Sequence, residues 1–131
     1  GALFDLDQTR SRDVALGIVH TDADYQAIAQ HRGYDFMISI LDGIKDPRII
    51  FTWGYSASTR TDWTWWSPHF TLEPYFLDGM LQAAETRASS AKVYDGYEFS
   101  YSFTTVDQYA TAANYIKTTP RAMMSTWHPA E

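Results

Sequence analysis

The sequence predicts an α/β fold of three consecutive βα units with parallel strands. Two observations predict it. Three short apolar runs, beginning near residues 2, 48 and 91, recur at intervals of roughly 45 residues. After each comes a segment that reads as a loop and then a helix, the second and third runs bracketing one such segment completely. Alternation of this kind builds parallel sheets with right-handed crossovers.

Ala2-Leu3-Phe4 is the first strand, ending in Asp5-Leu6-Asp7, and a polar loop follows from Gln8 to about Thr21. Thr21-Asp22-Ala23-Asp24 resembles a helix cap with acids in the first turn. From Tyr25 to Ile44 the residues Ile28, Phe36, Met37, Ile40, Leu41 and Ile44 recur at helical spacing. Gly33 weakens the middle of that helix by ~1 kcal/mol relative to Ala, and Gly43 suits its end. Asp46-Pro47 breaks the chain, and residues 48–53 read as a second strand. That strand is continuously apolar, as parallel strands covered on both faces are.

Gly54 to Thr71 is a long aromatic loop. Glu73-Pro74 opens a second helix, with Pro in the first turn, where its missing N–H costs nothing. Its apolar stripe is Phe76, Leu77, Met80, Leu81 and Ala84. Ala91 to Asp95 is the third strand, and Gly96 to Thr104 a second aromatic loop. Thr105 caps a third helix with Val106, Tyr109, Ala110, Ala113 and Ile116 on one face. Residues 118–131 carry no readable pattern beyond Ala122-Met123-Met124, a possible start of a further strand.

Composition bounds the function. The chain has 131 residues, 45% apolar and 16% aromatic, enough to bury one core. Its net charge of −6 argues against a nucleic-acid or anionic-membrane partner, since either needs a basic face. There is no cysteine, so thiol catalysis, disulfides and thiolate zinc sites are excluded. His20, His31, His69 and His128 lack metal-ligand spacing, and no cofactor or phosphate-loop motif is present. The opening Gly-Ala-Leu-Phe-Asp begins inside a strand-like run, so residues 1–131 read as a single α/β unit cut from a larger domain.

In parallel sheets, sites collect at the carboxyl ends of the strands. Asp5 and Asp7 follow the first strand, Trp53 and Tyr55 the second, and Asp95, Tyr97, Glu98 and Tyr101 the third. Carboxylates there also cap loops, which is the plainer reading of any one of them. The loop after the second strand adds Trp63, Trp65 and Trp66. Indoles bury large area, carry an N–H donor and stack on sugar faces. They also form loop mini-cores.

Two resemblances carry more specific expectations. Ala2-Leu3-Phe4-Asp5-Leu6-Asp7-Gln8-Thr9 resembles the D-x-D-x-T motif of haloacid-dehalogenase-like phosphatases. That resemblance implies Asp5 as phosphoryl nucleophile, Asp7 as general acid/base, and Mg²⁺ dependence. The second covers roughly residues 1–117. Gly1 to Asp7, Arg32-Gly-Tyr-Asp-Phe-Met37, Ile49 to Ser56, Phe76-Leu-Asp-Gly-Met-Leu81 and Tyr94 to Tyr101 look like the middle of a TIM-barrel, glycoside-hydrolase-like family of uncharacterised bacterial secreted proteins. It implies part of a (β/α)8 barrel, a carbohydrate ligand and an extracytoplasmic location. Asp7 stands where that family prefers Glu.

Strand spacing relates the carboxylates at these ends. Glycosidase carboxyl groups lie ~5–5.5 Å apart for retention and ~6.5–9.5 Å for inversion. Strands one and three, two spacings of ~4.8 Å apart, would bring Asp7 and Glu98 to an inverting distance. Asp7 and Glu98 are therefore the expected catalytic pair. Asp5, Trp53, Tyr55, Trp63, Trp65, Trp66, Asp95, Tyr97 and Tyr101 are the expected glycan-binding residues, with no metal. The competing readings are the Mg²⁺-dependent phosphatase and a non-catalytic sugar-binding module. An open three-stranded sheet would also self-associate or pack on the rest of a barrel.

Overall fold

A computed structural model describes residues 4–59 and 70–127. Its order is α1 (Leu6–Ala15), α2 (Asp22–Leu41), β1 (Arg48–Phe51), α3 (Tyr55–Thr59), α4 (Glu73–Thr86), β2 (Lys92–Asp95), a 3-10 turn (Glu98–Ser102) and α5 (Val106–Trp127). Among the described residues there are two strands, paired in parallel with Arg48 opposite Lys92 and Phe51 opposite Asp95. The expected three βα units and barrel segment are therefore overturned. The architecture is mainly helical, with one βαβ unit.

The difference begins at the amino terminus. Residues 1–3, most of the expected first strand, lie outside the described residues. Asp5 to Ala15, expected as a strand end and loop, start a helix instead. Asp5 is the N-cap of α1, and its carboxylate accepts the Gln8 N–H at 2.9 Å. The Asp5…Gln8 spacing satisfies the first-turn donors as a capping residue does. At the other end Gly17 takes φ +75°, a left-handed conformation that glycine adopts without strain.

The α2 helix forms as its cap predicts. Thr21 and Asp24 make a reciprocal capping box, the Asp24 N–H donating to Thr21 Oγ1 and the Thr21 N–H to Asp24 Oδ2. In α5, Gln108 Oε1 likewise accepts the Thr104 and Thr105 N–H groups. That helix continues to Trp127, so Ala122-Met123-Met124 is helical, not a strand.

The core lies where α2, α4 and the sheet meet. Met37, Leu77, Met80 and Ala83 are almost completely buried, with Ile49, Phe51 and Val93 packed against them from the strands. Two glycines let α2 and α4 approach closely. A Cβ on Gly33 would collide with the Phe76 carbonyl, and one on Gly79 with the Gln30 carbonyl. Gly33 thus has a packing reason that outweighs its poor helix propensity.

Among the described residues, the sheet is covered on one face only. Ile49, Phe51 and Val93 face the helices, while Ile50 is 73% exposed and Tyr94 43% exposed on the other face. The burial on both faces expected for the run at residues 48–53 is not found among the described residues. Among the described residues, no helix is long and apolar enough to cross a membrane.

Candidate functional site

The carboxyl ends of β1 and β2 do gather polar groups, joined by Asp95. Its Oδ2 accepts the Ser56 N–H at 2.8 Å, and its Oδ1 accepts the Ser56 hydroxyl at 2.8 Å and the Tyr97 N–H at 3.0 Å. One side chain thus ties the start of α3, just after β1, to the loop after β2. The backbones follow: the Gly96 N–H donates to the Phe51 carbonyl and the Glu98 N–H to that of Thr52. Gly54 is required because a Cβ there would lie 2.6 Å from Asp95 Cγ.

Replacing Asp95 with Ala removes three acceptor contacts from a half-buried junction. The expected cost is about 3 kcal/mol, with Asn costing less because its one carbonyl oxygen still accepts. Urea midpoints of the two variants test this; equal, negligible shifts would reject the latch.

Tyr97 sits just beyond the latch at φ +46°, a left-handed conformation costly for a bulky residue. Its packed ring and its N–H bond to Asp95 hold it there. The ring contacts Phe99, Phe103 and Tyr115 at centroid distances of 5.2, 6.2 and 6.2 Å. Trp53 joins the rim, stacked on Phe70 at 5.4 Å and edge-on to Phe99 at 5.2 Å. Trp53, Phe70, Tyr97 and Phe99 thus form one aromatic cluster at this edge.

A buried acid lies beside it. Glu73, in the first turn of α4, is only 2% exposed, and its Oε2 has no hydrogen-bond partner among the described residues. Burial, and secondarily the charge of Asp95, push its carboxyl up to about 9. Glu98, at the start of the 3-10 turn, also has a buried Oε2 without a hydrogen-bond partner among the described residues. Asp78 is 4% exposed and accepts Gln30 Nε2 at 3.2 Å across the α2–α4 contact. Burial, and then the Asp78 charge, raise the Tyr55 hydroxyl above its ordinary range.

The expected residues are distributed unevenly. Asp95, Tyr97, Glu98 and Trp53 share the strand-end rim. Tyr55 is buried in the core cluster, and Tyr101 is 83% exposed on the 3-10 turn. Trp63, Trp65 and Trp66 lie outside the described residues. Asp5 is buried but engaged as a helix cap. Asp7 is in the first turn of α1, its side chain 83% exposed and 3.5 Å from Arg10. An inverting distance between Asp7 and Glu98 needs a strand ending at Asp7, and α1 stands there instead.

Glu73 was missed as a site residue, yet its signal was present. Glu73, Leu77, Met80 and Ala84 follow i, i+4, i+7, i+11, so an acid occupies the buried stripe of α4. Among the described residues, no group of three acids or histidines is arranged to hold a metal ion. Comparison with protein-family models, curated proteins and solved structures found no match.

Proposed function

We propose that the strand-end rim is a glycan site with hydrolase-type chemistry, in which Glu73 is the proton donor and Glu98 the second carboxyl group. The observation that carries this reading is Glu73: a carboxyl raised to about 9 beside the charge of Asp95, at the carboxyl ends of two parallel strands. A glycosidase needs one carboxyl that stays protonated near neutral pH and another that does not. Desolvation gives Glu73 the first property. Trp53, half-buried at the rim, supplies aromatic surface of the kind that stacks on sugar rings, and the buried Tyr97 ring packs behind it among Phe99, Phe103 and Tyr115. Asp95 holds the start of α3 and the loop after β2 in register and is a positioning residue.

The phosphatase reading loses its support, because Asp5 and Asp7 belong to a helix start. The near-complete burial of Glu73 favours a second reading, sugar binding without turnover, since so enclosed a carboxyl shapes a site more readily than it reaches a ligand.

A panel of soluble β- and α-glucans, xylan and chitin oligomers separates these readings. Tryptophan fluorescence reports binding and new reducing ends report cleavage. Glu98→Gln and Glu73→Gln are each expected to lower turnover by roughly 100-fold or more, the scale of a lost acid/base group, while sparing the fold. Saturable quenching without cleavage supports the binding module. Neither quenching nor cleavage across the panel removes the glycan reading.

A further inference from the structure

A cleft of about 780 Å³ lies between α1, α2 and the start of α4. Phe4, Leu72 and Phe76 contribute its apolar lining, with Ile28 at 45% exposure. Phe4 and Phe76 meet edge-to-face at 5.3 Å, so the aromatic floor is built by contact between separate segments. The cationic lining residues are Arg12 of α1 and Arg32 of α2, and none of the lining residues is acidic.

The arginines are poorly neutralised. Arg32 has no ion-pair partner among the described residues. Arg12 meets Asp13 at 3.5 Å with its own side chain 71% exposed. Ile28 and Arg32 are one helical turn apart, so an apolar group and a guanidinium adjoin on one face of α2. On a chain of net charge −6, two guanidiniums beside an apolar cleft without an acid form a selective pattern. A small inorganic anion would leave the apolar floor uncovered. A neutral apolar molecule would leave Arg32 unused.

We propose that this cleft binds a small amphipathic carboxylate, an alkyl or aryl acid. Its head group pairs with Arg32, supported by Arg12, and its apolar body covers Phe4, Leu72 and Phe76. The planar guanidinium matches a carboxylate through two parallel hydrogen bonds. The cleft volume falls within the ~300–1,000 Å³ usual for sites of small organic ligands. This inference is independent of the strand-end glycan reading.

Titration calorimetry with decanoate, below its micelle concentration, tests it. Saturable one-site binding is expected, weakened roughly tenfold by Arg32→Gln and by a smaller factor by Arg12→Gln. 1-Decanol, with the same tail and no charge, is expected to bind more weakly and to be indifferent to Arg32→Gln. Circular dichroism on each variant checks the fold; Arg32 is exposed, so both variants are expected to retain it. Non-saturable uptake, equal affinity for acid and alcohol, or undiminished decanoate binding in both folded variants would overturn the proposal.

Discussion

Gly79→Ala and Gly33→Ala are expected to destabilise the protein by about 3 kcal/mol each, the upper end of the usual cost of overpacking. The substitutions act against helix propensity, which would favour Ala over Gly by ~1 kcal/mol in a helix interior. Packing wins because each new methyl meets backbone, which cannot rotate away as a side chain can. At Gly79 the Cβ would also lie 2.8 Å from the Tyr34 nitrogen, and at Gly33 it would lie 2.7 Å from the Phe76 carbonyl carbon. Relief requires α2 and α4 to separate, and that separation loosens Met37, Leu77 and Met80 together. A loss of this size is a large part of the ~5–15 kcal/mol that holds a domain folded. Gly43→Ala is the control, since its nearest neighbour, the Ile40 carbonyl, would be at an ordinary 3.7 Å. Urea unfolding of the three variants decides the matter: equal midpoints would show that the close helix approach is absent.

The glycines also illustrate what sequence made legible. Periodicity located α2 and α4, and the Thr21–Asp24 cap located the start of α2. The Asp46-Pro47 break and the runs at 48 and 91 located both observed strands. Spacing within one helix cannot report which backbone approaches another, so the role of Gly33 was hidden. The amino terminus was misread for a different reason. Asp5-x-Asp7 after an apolar run fits a strand end, but Asp5…Gln8 fits a helix cap equally well. The α1 helix has no buried residue, so it offers little apolar periodicity to arbitrate. Much of the candidate site was legible as strand-end chemistry, because Asp95 ends β2 and Glu98 follows it. Glu73 required looking for an acid on an apolar stripe, where burial rather than sequence position gives it chemistry.

That burial predicts a pH dependence opposite to the usual behaviour of a paired carboxylate. A carboxyl in the unfolded chain titrates near 4.5, whereas Glu73 in the folded chain titrates near 9. Between those values the folded protein holds a proton that the unfolded chain has released. Folding then takes up a proton, and stability falls as pH rises, by at most about 1.4 kcal/mol per pH unit. Below the lower value both states are protonated and this loss is absent; above the upper value both are ionised and the loss is complete. The expected fall between pH 5 and pH 9 is on the order of 3 kcal/mol, less than the full excursion, because a chain relaxes or admits water before it holds a bare charge in its interior. Glu73→Gln keeps the shape and has no proton to lose. Its stability is expected to match wild type near pH 5 and exceed it increasingly toward pH 9. Asp95→Asn separates the two causes: without the neighbouring charge the Glu73 midpoint moves down, while desolvation, the larger effect, keeps it above 4.5. Parallel stability curves for wild type and Glu73→Gln across this range would show that Glu73 is hydrated, and would remove both this linkage and its role as proton donor.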